Sequence, residues 1–157
     1  MTSFEENLKV SWGKIPTGVA VLTTLEANGD IHGITINSFF SLSIKKPSLL
    51  VSISKSAKSH DLIVKDRKFG LSVLNSDQKE YGEFFSRNIK EKLPDKFDLV
   101  LMGKGIHVIK NSLIQFSCEL DFMTSVSDHT LFAANIIKVN SNDSSPLLWH
   151  KSNFYDL

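Results

Sequence analysis

The chain has 157 residues, 41% hydrophobic and 22% charged, with a formal net charge of +1. That length suits one domain spanning 1–157 with a sizeable core. The near-zero charge removes the electrostatic case for a nucleic-acid or anionic-membrane partner, and no apolar run approaches the ~20 residues of a membrane helix.

The N-terminal stretch is acidic and polar, unlike a secretory leader. Phe4, Leu8 and Trp12 stand at i, i+4 and i+8, which predicts an amphipathic helix over 4–12, ended by Gly13 and Pro16. A strand is expected over 19–24, and Ala27-Asn28-Gly29-Asp30 reads as the hairpin turn into a second strand over 31–37. From there the alternation runs on. Ile34, Ile36, Phe40, Leu42 and Ile44 fall on one face, interrupted by Ser38. Thr35, Asn37, Phe39, Ser41 and Ser43 fall on the other, which is polar yet uncharged. A solvated strand face usually carries Lys or Glu. Hydroxyls and an amide beside one aromatic ring suit a flat heteroaromatic ligand instead.

A turn through Pro47 and a strand over 49–54 come next. Ser54, Lys55, Ser56, Lys58 and Ser59 then precede a helix over 59–64, and such residues at a helix start suit a phosphate. The same residues also read as a solvated turn with Ser59 as N-cap. A strand is predicted over 69–74. Asn75 and Gln78 have capping-box spacing, opening a helix with Tyr81, Phe84 and Phe85 on its inner side. Arg87 follows, either as a phosphate ligand or as a cation at the helix C-terminus.

Residues 87–98 read as a surface loop, followed by strands over 106–109, 113–123 and 131–139. Cys118 shares a strand face with Phe116, Leu120 and Phe122, the setting of a buried structural thiol. A single cysteine excludes an internal disulfide, which agrees with a cytoplasmic location. Many short strands separated by turns predict an antiparallel barrel or sandwich. The five histidines show no metal spacing, so no metal is expected. The G-x-S-x-G, P-loop and G-x-G-x-x-G patterns are all missing. One constellation remains, Ser127-Asp128-His129-Thr130, which on its own terms is also a common turn sequence.

The order of these motifs resembles the flavin reductase-like, FMN-binding split-barrel family, the small component of two-component flavin monooxygenases. Thr17, Gly18, Val19, Val21 and Thr23 match its T-G-V-x-V-x-T segment. Gly33, Thr35, Asn37, Ser38, Phe39, Ser41 and Ser43 match G-x-T-x-N-S-F-x-S-x-S. Pro47, Phe69 to Leu74, Phe84-Phe85-Ser86, Asp128-His129-Thr130 and Pro146-Leu147-Leu148 follow in the family's order. The chain departs from the pattern at three places. Phe154 replaces a tyrosine, with Tyr155 beside it, and Ser127 and Ala134 replace glycines.

The resemblance implies a mainly β fold, an antiparallel, Greek-key-like split barrel with a few short flanking helices. It implies an NAD(P)H:flavin oxidoreductase, acting as a homodimer and supplying diffusible reduced FMN or FAD to a separate oxygenase. Flavin contacts would come from Thr35, Asn37, Ser38, Phe39, Ser41 and Ser43 at the ring. Ser54, Lys55, Ser56, Lys58 and Ser59 would serve the phosphate, with Phe85, Ser86 and Arg87 nearby. Ser127, Asp128, His129 and Tyr155 would meet the nicotinamide of NADH or NADPH, His129 being the catalytic candidate. If the first replaced glycine has positive φ, Ser127 is strained by of order 1 kcal/mol. No paired arginines mark a 2′-phosphate site, which favours NADH. A flavin-binding electron-transfer or ligand-binding protein without reductase activity is the alternative. An interaction module that has lost flavin is a third reading, opposed by the retention of Thr35, Asn37, Ser41 and Ser43.

Overall fold

The computed structural model describes residues 3–87 and 92–157. Helix α1 (Phe4–Gly13) opens with a reciprocal cap, in which the Glu6 N–H donates to Ser3 Oγ and the Ser3 N–H to Glu6 Oε2. The expected stripe is present, but among the described residues nothing covers it: Phe4, Leu8 and Trp12 are all exposed. The helix is held at its end, where the Lys151 N–H donates to the Gly13 carbonyl at 2.8 Å.

Strands β1 (Thr17–Gly18), β2 (Ala20–Leu25) and β3 (Ile31–Ile36) follow, β2 and β3 pairing around the expected turn, where Gly29 has φ 89°. Next come β4 (Phe39–Ser43), β5 (Ser48–Ser54), α2 (Lys58–Asp66) and β6 (Lys68–Val73). The Asn75–Gln78 capping box forms and opens a 3-10 turn, Ser76–Gln78, that runs into α3 (Lys79–Phe85). The chain continues through β7 (Leu99–Leu101), β8 (His107–Ile109), β9 (Ile114–Val126), β10 (His129–Ser141), β11 (Leu147–His150) and β12 (Asn153–Asp156). Part of the expected 87–98 loop, 88–91, lies outside the described residues.

The main sheet is antiparallel, in the order β3-β2-β6-β9-β10-β5-β4. Its two edges, β3 and β4, are joined by only Asn37 and Ser38. Six inter-strand steps of ~4.8 Å would put the edges of a flat sheet roughly 29 Å apart. The chain from Ile36 to Phe39 reaches at most about 11 Å. The sheet is therefore rolled until its edges approach. The antiparallel β expectation holds, but β3 and β4 do not pair, so the sheet is not closed into a barrel.

This crossing also corrects the single face expected from Ile34 to Ile44. The break at Asn37-Ser38 moves the chain to the opposite edge. Ile36 is buried, whereas Phe40, Leu42 and Ile44 are exposed and Phe39 packs on the core.

Strand β2 is buried on both sides. Ala20 and Leu22 join the core inside the rolled sheet, with Val51, Phe69, Leu71 and Phe132. Val19 and Val21 join a second core under α3, with Leu74, Phe85, Phe97 and Leu147. Cys118 is fully buried in the first, as expected of a structural thiol. Ala134, also fully buried, sits at a β-bulge between β9 and β10.

Candidate functional site

A cleft of about 210 Å³ is lined by Val19, Thr35, Ile36, Asn37, Ser86, Trp149 and Phe154. β3 delivers Thr35 and Ile36, the edge-crossing residue Asn37 follows, and the end of α3 delivers Ser86. Thr35 Oγ1 donates to the Gly82 carbonyl at 2.7 Å, tying β3 to α3. Asn37 Nδ2 donates to Thr17 Oγ1 at 3.1 Å, fixing the amide where the chain leaves the sheet edge. Trp149 and Phe154 meet edge to face, with centroids 4.8 Å apart, and form an apolar wall. An apolar wall facing a few fixed polar groups is what a flat heteroaromatic ligand needs.

From Asn37 the site continues along β5. Ser38 Oγ donates to the Ser52 carbonyl at 2.7 Å, and the Ser52 N–H donates back to Ser38. Two residues on, Ser54 Oγ lies 2.9 Å from Ser56 Oγ. The N-cap of α2 is Ala57, not Ser59 as expected, and alanine offers no side-chain acceptor to the first-turn N–H groups. Ser59 is fully buried, and its Oγ has no hydrogen-bond partner. An uncapped helix start beside an orphaned hydroxyl fits a phosphate.

The two lysines are engaged within the protein. Lys58 Nζ lies 2.5 Å from Glu26 Oε1, on the β2–β3 hairpin. Lys55 Nζ donates to the Ser127 carbonyl at 2.5 Å, and the Lys55 N–H donates to the Asp128 carbonyl at 2.9 Å. Lys55 therefore joins the α2 loop to the β9–β10 turn. In that turn Ser127 has φ 53°, the left-handed backbone anticipated for the replaced glycine. Asp128 Oδ1 lies 2.8 Å from His129 Nδ1. That hydrogen bond, above all, holds the Asp128 carboxyl below the usual carboxylate range. His129 stands opposite Ser54 in the β10–β5 ladder, so the turn and the α2 loop form one end of the site.

Other candidates fall elsewhere. Ser41 and Ser43 pair with Leu49 and Ser48, five and six residues from Ser54 along β5, or roughly 17–20 Å away. Phe85 is buried in the second core against Gly33. Arg87 is exposed past the end of α3, its N–H donating to the Phe84 carbonyl. Tyr155 is exposed on β12, 5.9 Å from the His150 ring, while its neighbour Phe154 faces the cleft. Trp149 was not anticipated, because four-residue β11 is too short to show a period. Thr24 and His107 line a separate cavity of about 10 Å³, roughly one water's volume. Among the described residues, no cluster of His, Cys, Asp or Glu is arranged to hold a metal, and no helix is long and apolar enough to cross a membrane.

The structure thus combines a rolled antiparallel sheet, an aromatic-walled cleft at Asn37 and an uncapped helix start at Ala57. The chain belongs to the flavin reductase like domain family, whose model matches residues 12–157. It is 33% identical over 142 residues to the NADH-dependent flavin reductase StyB of Pseudomonas fluorescens, covering 88% of this chain and 82% of that protein. Among solved structures it resembles flavin reductase PheA2, with a TM-score of 0.89, 31% identity and 99% of each chain covered. It also resembles the styrene monooxygenase flavin reductase SMOB from Pseudomonas putida S12, with a TM-score of 0.87 and 31% identity, covering 96% of this chain and 97% of that one.

Proposed function

We propose that this protein is an NADH-dependent flavin reductase that supplies reduced FMN or FAD to a separate monooxygenase, and that residues 1–157 act as one split-barrel domain. The observation that carries this reading is the continuity of the site. The cleft at Asn37, the α2 start at Ser59 and the turn at His129 are joined by hydrogen bonds along β5 and through Lys55. The kinship to StyB supports the choice of NADH.

A flavin held here would supply the redox chemistry, as a hydride acceptor. The chain's own residues bind, orient and exclude water. Asn37, with the backbone at Ser38, holds the polar ring edge, and Trp149 and Phe154 shield the ring. The α2 start and Ser59 Oγ take the phosphate, with Ser54 and Ser56 beside them. Lys55 holds that loop to the turn and balances the phosphate from there. A carboxylate only accepts, so Asp128 fixes the proton of neutral His129 on Nδ1 and leaves Nε2 as an acceptor for the nicotinamide amide.

The assembly in this reading is a homodimer. The register places Phe40, Leu50, Ala133 and Phe122 in one row across β4, β5, β10 and β9, and Phe40 and Phe122 are 57% and 61% exposed. A contiguous apolar row of this kind suits a second copy. A cytoplasmic location agrees with the single buried thiol. The left-handed Ser127 favours one alternative, a flavin-binding protein without reductase activity, if its side chain obstructs the nicotinamide. The absorbance spectrum of the purified protein with added flavin, recorded before and after NADH without oxygen, separates the two. Bleaching of the flavin band supports the reductase; a band that persists supports the carrier.

A further inference from the structure

Helix α2 and strand β10 are joined by a contact that the flavin and nicotinamide sites do not use. His60, in the first turn of α2, is largely covered, and its Nε2 lies 2.9 Å from Thr130 Oγ1. Its Nδ1 lies 3.1 Å from Asp61 Oδ1. The acceptor-only carboxylate assigns the proton of the neutral ring to Nδ1, so Nε2 accepts from the Thr130 hydroxyl. The ring also meets Phe132 edge to face, at a centroid distance of 5.4 Å. Thr130 is buried, so without His60 its hydroxyl would lose this partner inside the protein.

Thr130 directly follows His129, and alternate residues of a strand point to opposite faces. The inward Thr130 therefore lies behind the strand end that presents His129, which the ladder pairs with Ser54 and Val126. Lys55 grips the same turn by its backbone, at Ser127 and Asp128, but touches no side chain of β10 in doing so. On the strand side, the ladder pairs Thr130 with Ile53 of β5 and Ser125 of β9, and the His60 contact adds a side-chain tie from α2.

We infer that His60 is a positioning residue: through Thr130 it fixes the His129 turn against the α2 loop, and so sets the nicotinamide relative to the flavin. This rests on the reductase reading for its effect on rate, but not for its effect on the turn. A leucine at 60 fills the space without an acceptor. A glutamine returns an acceptor near the place of Nε2.

The test compares wild type, His60→Leu, His60→Gln and Thr130→Val, the last keeping the threonine shape without its hydroxyl. Amide exchange over 127–131 reads the turn, and anaerobic stopped flow with NADH at saturating FMN reads the reaction. His60→Leu and Thr130→Val are expected to speed exchange over 127–131 by about tenfold, with β6 unchanged. Both are expected to slow flavin reduction by about tenfold, since misplacing a reacting ring by ~1 Å can cost on the order of a hundredfold. FMN affinity stays at the wild-type value, and His60→Gln recovers most of both losses. Unchanged exchange in Thr130→Val overturns the inference. So does faster exchange throughout β6 with a parallel loss of FMN affinity, which would make His60 an ordinary packing residue. A wild type that NADH does not reduce refutes the reductase reading, while the exchange data still decide whether His60 holds the turn.

Discussion

Substituting Gly33 by alanine tests how the second core shapes the cleft. An added Cβ would lie 2.5 Å from Phe85 Cδ1 and 2.6 Å from Cε1. The ring has little room to retreat, being buried with Phe84 5.1 Å and Phe97 6.2 Å away. Overpacking of this kind costs about 1–3 kcal/mol. Restricting the unfolded chain by Gly→Ala returns roughly 0.4–1 kcal/mol, leaving a net loss of about 1–2 kcal/mol. For a domain of this size that lowers Tm by roughly 2–8 °C. Because Phe85 precedes Ser86, the displacement should also reach the cleft and weaken FMN binding. Thermal unfolding and calorimetry check both effects. Phe85→Leu makes the necessary space, so the double variant should be more stable than additivity predicts, by at least ~0.5 kcal/mol. Wild-type Tm in Gly33→Ala, together with strict additivity in the double variant, would refute the reasoning.

Three further outcomes are expected. Asn37→Leu leaves polar ring atoms of the flavin unpaired and should weaken FMN binding by about 1–3 kcal/mol in calorimetry; unchanged affinity removes Asn37 from the site. Ser127→Gly relieves the left-handed backbone by ~1 kcal/mol but loosens the unfolded chain by a similar amount. Its stability in denaturant should therefore stay close to wild type, with flavin reduction no slower; a clear loss of rate would mean that the serine side chain acts in the site. Burial pushes the Cys118 thiol up to about 12, from an ordinary value of 9.0. Above pH 9 the unfolded chain releases this proton while the folded chain keeps it, so stability falls as pH rises, by up to about 1.4 kcal/mol per pH unit. Denaturant unfolding at pH 8 and pH 10 should show a smaller decline in Cys118→Ala than in wild type. Equal declines would contradict this.

The elements with a regular period or a turn signal were legible in the sequence. The β2–β3 hairpin, the long β9 and β10 strands and the Asn75–Gln78 capping box all stand where their residues indicated. The break at Asn37-Ser38 was not, because Ile36 and Phe40 keep the same parity across it. Only pairing with β5 reveals that the chain has changed edges. Strands β1, β11 and β12, of two to four residues, are too short to show alternation, so Trp149 gives no signal, whereas Phe154 is marked by its place in the family's closing motif. The α2 loop was legible as a place but not in its wiring. Lys58 pairs with Glu26, and Lys55 reaches Ser127, across separations that no local pattern records. Ser59 reads in the sequence as either a phosphate ligand or a cap, and the backbone makes Ala57 the cap and buries Ser59 with an unpaired hydroxyl.

The central claim is that the β9–β10 turn brings NADH to a flavin held in the cleft. Anaerobic stopped-flow reduction of FMN at saturating flavin, comparing wild type with His129→Ala, tests it most directly. The account predicts rapid reduction of wild type by NADH and a loss in the variant of one to two orders of magnitude, the scale of misplacing a reacting ring by about 1 Å. FMN affinity should be nearly the same in both. Equal rates in the two proteins would make His129 an ordinary turn residue. A wild type left oxidised by both NADH and NADPH would contradict the account.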